Sequence, residues 1–271
     1  MIEVKNVMIG SNLPYVLIAG PCVVENEKIT FSVAEQIKKI TSNLGIPFIF
    51  KSSYKKANRT SIKSFKSIGD SEAIKILHKV KNDFDLPILT DIHTADEILN
   101  LTDIADVLQI PAFLCRQTDL LLAAGNSGKA VNVKKGQFLA PEDMKHIIEK
   151  VESTGNKKIL LTERGSSFGY HNLVVDMRSL VIMKEFGYPV VMDATHSVQL
   201  PGLDNKTGGQ PKFIKPLAKA AAAIGIDALF LEVHPEPKNS LSDAESQLPL
   251  NELEKLLVEI QQIDSLVKNF S

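Results

Sequence analysis

Short apolar runs of three to five residues alternate with longer segments of helical spacing along almost the whole chain. Tyr15 to Ala19, Ile46 to Phe50, Pro87 to Thr90 and Val107 to Ile110 have the length and the bounding residues of buried parallel strands. Ala130 to Val133, Lys158 to Leu161, Val190 to Met192 and Ala228 to Leu231 continue the series. After the first run, Ile29, Val33, Ile37, Ile40 and Leu44 recur at helical spacing and Gly45 supplies the stop. Helices are likewise predicted over Ser71 to Val80, with Ile74, Leu77 and His78 toward its inner face, and over Thr94 to Leu99, Thr118 to Gly125, Asp176 to Phe186 and Lys212 to Ile224. Pro141, with Glu142 and Asp143 in the first turn, opens a helix that runs to Glu152. Asn251 to Lys268 closes the chain as an amphipathic helix. Ahead of the first strand, Ile2 to Ile9 alternates loosely and, with Gly10-Ser11-Asn12 as its turn, predicts a hairpin within residues 1–14.

Eight strand-helix units with no linker of changed composition predict one α/β domain over residues 1–271, a closed (β/α)8 TIM barrel carrying an N-terminal β-hairpin. No Gly-rich dinucleotide fingerprint and no GK[ST] loop opens the early helices, which argues against an open doubly wound sheet. In a barrel the residues just past each strand meet at a single rim, however far apart they are in sequence.

Apolar residues make up 44% of the 271 and charged residues 23%, the balance of a soluble globular protein. The formal net charge of -1 means that any cationic site is local, and nothing suggests a nucleic-acid surface. No apolar run approaches membrane-spanning length, so no membrane partner is expected. The start, MIEVKNVMIG, lacks the basic and apolar regions of an export signal, and two cysteines, Cys22 and Cys115, suit a reducing cytoplasm.

Chemistry concentrates at the strand ends. FKSSYKKANRTS, Phe50 to Ser61, sets Lys51, Lys55, Lys56 and Arg59 among hydroxyls and an amide, a composition that can surround a phosphate. Lys134 and Arg164 each follow an apolar strand and add two cations to the same rim. Confined together these charges repel, and a multiply charged anion relieves the repulsion, so the substrates are expected to carry phosphate. Solvated surface lysines and a structural Arg164 ion pair are the plainer readings. Asp91, among such cations, would stay ionised and could bind hydroxyls or relay a proton; it could equally cap the following helix. Cys22, His196, Glu232 and Asp243 offer donors that suit zinc, iron, cobalt or manganese, provided the barrel gathers them and the loop Pro235 to Leu248 delivers Asp243. Cys22 can also be plain packing or a nucleophile. His234 is more a structural group than a substitute ligand, His171 an orienting or surface residue, and His78 and His146 structural or solvent-facing.

Several segments together resemble the 3-deoxy-D-manno-octulosonate 8-phosphate synthases: IAGPCVVEN at Ile18 to Asn26, FKSSYKKANRTS, LTDIH at Leu89 to His93, and LQIPAFLCRQTDLL from Leu108. NVKKGQF from Asn132, LTERGSSFGY from Leu161, DATHSVQLPG from Asp193 and LFLEVHPEP from Leu229 extend the likeness over nearly the whole chain. The related aromatic-pathway synthase, which uses erythrose 4-phosphate, characteristically reads KPRTS where this chain reads Lys56-Ala57-Asn58-Arg59-Thr60-Ser61. The resemblance implies a cytoplasmic transferase of lipopolysaccharide (KDO) biosynthesis that joins phosphoenolpyruvate to D-arabinose 5-phosphate. It implies Lys51, Ser53, Lys56, Gln109, Lys134 and Arg164 around phosphoenolpyruvate, and Asn58, Arg59 and Thr60 on the sugar phosphate with Asp91 near its hydroxyls. Lys134, His196, Asp91 and Cys22 are the residues it points to for catalysis. Cys22, where metal-independent relatives carry asparagine, together with His196, Glu232 and Asp243, implies a divalent metal and no organic cofactor. A homotetramer is implied as well, with Arg116 reaching a neighbouring subunit's site. A lysine Schiff-base aldolase and a phosphometabolite-binding barrel without turnover are the alternatives; borohydride trapping at Lys134 would favour the first.

Overall fold

The computed structural model describes residues 1–59, 61–202 and 208–270. Eight parallel strands close on themselves: β1 (Val16–Gly20), β2 (Phe48–Lys51), β3 (Ile88–Asp91), β4 (Val107–Ile110), β5 (Ala130–Lys134), β6 (Ile159–Glu163), β7 (Val190–Asp193) and β8 (Ala228–His234). Each pairs with the next, and β8 returns to β1 in the register Ala228↔Val16 to Glu232↔Gly20. The principal helix after each strand packs outside: α1 (Glu27–Leu44), α2 (Asp70–Asp83), α3 (Glu97–Leu101), α4 (Thr118–Asn126), α5 (Met144–Glu152), α6 (Arg178–Lys184), α7 (Ile214–Ile224) and α8 (Leu253–Lys268). The predicted barrel is therefore the observed fold.

Strand alternation divides the apolar residues into two cores. Leu17, Ala19, Phe48, Phe50 and Ile88 face outward and pack with the helices, while Val16, Ile18, Ile49, Leu89, Val107 and Phe230 fill the interior. The hairpin residues Ile2, Val4, Val7 and Ile9 belong to this interior cluster and plug the end of the barrel opposite the strand C-termini. Two residues further along each strand the inward positions turn polar, because side chains two apart share a face. Ile49 gives way to Lys51, Leu89 to Asp91, Val107 to Gln109, Ala130 to Asn132 and then Lys134, Val191 to Asp193, and Phe230 to Glu232. The floor of the site is thus the top of the barrel's own core.

Local signals place the elements with small adjustments. Asn26 accepts from Ile29 N at 2.9 Å and starts α1 two residues before Ile29, and Gly45 ends it at φ 67°. The hairpin turn falls at Lys5-Asn6 instead of Gly10-Ser11-Asn12, since Val4 pairs directly with Val7. Gly10 to Asn12 lead from the hairpin toward β1. On α2 the inner face is Ala73, Ile76, Leu77 and Val80, and His78 is exposed, one position round the helix from Leu77. β8 runs to His234 and so carries Glu232 inside the strand. Gly20 is required by close approach: a Cβ there would lie 2.0 Å from the Lys51 carbonyl oxygen, so only glycine lets the ends of β1 and β2 come together.

Candidate active site

A cavity of about 980 Å³ opens at the C-terminal end of the strands, lined by Lys51, Lys56, Arg59, Lys134, Arg164 and His196 among others. Asn58, Asp91, Gln109 and Asp243 also line it, so residues spread over most of the sequence meet here, as the rim argument requires. Cys22, Ser53 and Glu232 are buried behind this lining. Thr60 lies outside the described residues. Arg116 is exposed and does not line the cavity of its own chain.

The cationic stretch after β2 divides by direction. Lys51, fully buried at the end of the strand, pairs with Glu232 and donates to the Cys22 carbonyl at 3.2 Å. Lys56 reaches the same Glu232 oxygen at 3.7 Å. Lys55 turns outward to Glu97 at 2.8 Å and Asp70 at 3.2 Å. Arg59 donates to Ser242 Oγ at 2.9 Å and stands 3.8 Å from Asp243, which ties this loop to the one after β8. Burial opposes the charge on Lys56, but the carboxylates of Glu232, Asp91 and Asp243 favour it, and the ammonium is held above the ordinary lysine range.

Across the barrel Lys134 donates to Asp193 at 2.6 Å, and its ammonium lies 4.1 Å from the Phe230 ring centroid. Burial is the larger influence: it holds Lys134 below the ordinary lysine range even though Asp193 pulls the other way. Asp193 also accepts from His196 Nδ1 at 2.7 Å and from the backbone of Thr195 and His196. Burial works against its charge, yet His196 and Lys134 hold the carboxyl well below the usual range. Arg164 is buried, donates through Nη2 to Gln199 at 2.7 Å, and leaves Nη1 with no hydrogen-bond partner among the described residues. Burial depresses its pKa as well. A buried guanidinium, half unpaired among the described residues and lining the same cavity as Lys134, has donors of the kind that suit an anion. Neighbouring Lys135 points out of the cavity, toward Ser166 at 2.9 Å and Glu163 at 3.6 Å.

Cys22, Glu232 and Asp243 bring one ligand atom each within 4.8 Å of one another, and this cluster can hold a metal ion. His196 Nε2 adjoins it, 3.4 Å from Glu232 and 4.0 Å from Asp243. The donor set fits a borderline divalent cation, and Glu232 Oε2 is buried without a hydrogen-bond partner among the described residues, as an oxygen reserved for a ligand would be. Burial, then Asp243 and Glu232, push the Cys22 thiol well up, and its Sγ faces Ser242 Oγ at 3.0 Å and Asp243 Oδ2 at 3.3 Å. His234 pairs with Glu25 at 3.7 Å instead, as a structural group.

Sequence reading passed over Asp193, Gln199 and Ser242, and also Asn132 and Thr162, which line up behind Gln109. For Asp193 and Asn132 the signal was present: each stands two residues after an interior apolar position. Ser242 sits on a loop and Gln199 in a two-residue strand, Gln199–Leu200, and no local pattern announces the direction of either.

The DAHP synthetase I family matches residues 1–269. Among curated proteins, the 2-dehydro-3-deoxyphosphooctonate aldolase of Syntrophotalea carbinolica is 54% identical over 98% of this chain and 97% of its own. That of Geobacter metallireducens is 54% identical over 98% of each, and that of Rickettsia felis 52% over 99% of this chain and 98% of its own. A barrel with its cations and candidate metal donors at one rim, matched end to end at such identity, establishes that this chain belongs to the DAHP synthetase I family.

Proposed function

We propose that this chain condenses phosphoenolpyruvate with D-arabinose 5-phosphate and water to give 3-deoxy-D-manno-octulosonate 8-phosphate and inorganic phosphate. The observation that carries the reading is the gathering of Arg164, half-paired among the described residues, with Lys51, Lys56, Arg59 and Lys134 in one cavity. So many confined cations suit two phosphorylated substrates, and the names of relatives above half identity agree with that chemistry.

In this reaction C3 of the enol attacks the sugar aldehyde while water adds at C2. The resulting hemiketal phosphate loses phosphate with cleavage of its C–O bond. Lys134, Arg164 and Lys51 neutralise the phosphate and carboxylate of the enol ester, and Asn58 and Arg59 hold the sugar phosphate. Charge that develops on the phosphate during departure meets donors already in place, which is electrostatic preorganisation. Asp91, held ionised against burial by Lys51, Lys56, His93 and Lys134, accepts from the sugar hydroxyls or takes up a proton. Cys22, His196, Glu232 and Asp243 would hold a divalent ion, which when bound supplies charge to polarise the aldehyde or to acidify water.

Side-by-side turnover of arabinose 5-phosphate and erythrose 4-phosphate tests the assignment: fast phosphate release with the first and little with the second is expected. Preference for erythrose 4-phosphate would move the chain to the aromatic-pathway reaction. Binding of both substrates with no phosphate release would reduce it to a binding protein.

Among the described residues no helix is long and apolar enough to cross a membrane. The reading places the enzyme in the cytoplasm as a homotetramer, and Arg116, exposed and away from its own cavity, is free to serve a neighbouring site. Mixing inactive Arg116→Ala subunits with inactive Lys134→Ala subunits is then expected to restore part of the activity. No recovery in verified mixed tetramers would show that sites are not shared.

A further inference from the structure

We propose that Thr162 and Asn132, which line neither the cavity nor the candidate metal cluster, are positioning residues that aim Asp91 through the side chain of Gln109. The inference rests on the reading above for its substrates. Four side chains on four consecutive strands join in one line inside the barrel. Thr162 Oγ1 on β6 donates to Asn132 Oδ1 at 2.6 Å, Asn132 Nδ2 on β5 donates to Gln109 Oε1 at 2.8 Å, and Gln109 Nε2 on β4 donates to Asp91 Oδ1 on β3. Ser53, beyond β2, donates to the other oxygen of Asp91. The strand registers make the line possible: Asp91 stands opposite Gln109, and Gln109 opposite Asn132. Thr162 and Asn132 are fully buried and Gln109 nearly so.

The direction of every bond follows from one end. An ionised Asp91 can only accept, so Gln109 must present its NH2 to it and its carbonyl to Asn132. Asn132 must then turn its NH2 to Gln109 and its carbonyl to Thr162, whose hydroxyl donates. Remove the hydroxyl, and the Asn132 carbonyl loses its donor, so that amide is held in its orientation by Gln109 alone. A flip at Asn132 would set its carbonyl against the Gln109 carbonyl, and a matching flip of Gln109 would put an oxygen against the carboxylate. Both polar atoms of Gln109 are already engaged by the line, so the same logic makes Gln109 the carrier of the alignment. None of the hydrogen bonds in the line involves Lys51, Lys56, Arg59, Lys134 or Arg164, so substrate anchoring by charge should survive its disruption.

The experiment compares T162V and T162S with the wild type in steady-state kinetics on phosphoenolpyruvate and arabinose 5-phosphate, with active sites counted by phosphoenolpyruvate calorimetry. In T162V the kcat per site is expected to fall about tenfold or more, with both KM values held within about twofold, because misaim costs rate while charge still binds. T162S, which restores the hydroxyl, is expected to recover kcat. N132L cuts the same line one link nearer Asp91 and carries the same expectation if T162V does not fold. An unchanged kcat per site in folded T162V, or T162S as slow as T162V, overturns the inference. Hydrogen exchange of the Gln109 side-chain amide, which needs no turnover, is expected to be about tenfold faster in T162V. If the wild type failed to turn over these substrates while that exchange still quickened, the functional reading would fall and the positioning role would stand; unchanged exchange would remove the positioning role.

Discussion

Stripping divalent ions with a strong chelator is expected to abolish turnover and to leave the fold in place, with only a small change in melting temperature. The fold survives because its two cores are apolar strands and helices. Activity does not, because without the ion the cluster offers no positive charge to a reacting oxygen. Cys22→Asn is the sharper variant. It replaces a soft thiolate by an amide oxygen, so ion affinity is expected to drop; because asparagine is the residue of metal-independent relatives, residual turnover carried by the cations and His196 is the result to look for. Elemental analysis beside activity, before and after reconstitution with zinc, iron, manganese or cobalt, is the measurement. Metal-free wild type turning over as fast as the reconstituted protein would end the metal assignment while sparing the synthase assignment.

Truncating Lys134 to alanine is expected to weaken phosphoenolpyruvate by about 2–5 kcal/mol, roughly thirtyfold to several thousandfold, as for loss of one partner of a buried charge pair. The sugar phosphate should be held nearly as before. Lys134 is buried, its ammonium is destabilised by that burial, and an anion beside it and Arg164 returns the lost solvation. The fold tolerates the change because Asp193 keeps His196 at 2.7 Å. Arg59→Ala is expected to show the opposite selectivity. Its guanidinium lies against Ser242 and Asp243 of the loop after β8, and its loss should weaken the sugar phosphate while sparing the enol ester. Titration of each variant with each ligand decides the matter, and equal weakening of both ligands by each variant would defeat this division of labour.

The barrel was legible in the sequence because its signals are local. Short apolar runs, helical spacing between them, and stops such as Gly45 depend on neighbours within a few residues, and the closed barrel follows from their number and regular order. The errors were local too: a hairpin turn taken at the glycine when Val4 and Val7 already paired, and His78 placed on an inner face that Ile76 occupies. Strand-end position also gathered Lys51, Asp91, Gln109, Lys134, Arg164 and His196 correctly at one cavity, since barrel geometry sends every strand end to the same rim.

Partner choice was not legible. Lys55 and Lys56 are adjacent and chemically identical, yet one is tied to Glu97 on the outside and the other approaches Glu232 within; Lys134 and Lys135 divide in the same way. Only the backbone direction at each residue separates them. Cys22 and Asp243 are 221 positions apart, so their approach depends on closure of β8 onto β1 and on the path of the following loop. Asn132 and Thr162 join the site only because the strands' pairing sets them in line with Gln109. The sequence by itself determined the fold and the rim, because both arise from patterns between near neighbours. Tertiary structure alone decided which charges pair, which stay open to an anion and which buried amides are aligned, because those outcomes turn on ångström-scale distances between residues that the chain holds far apart.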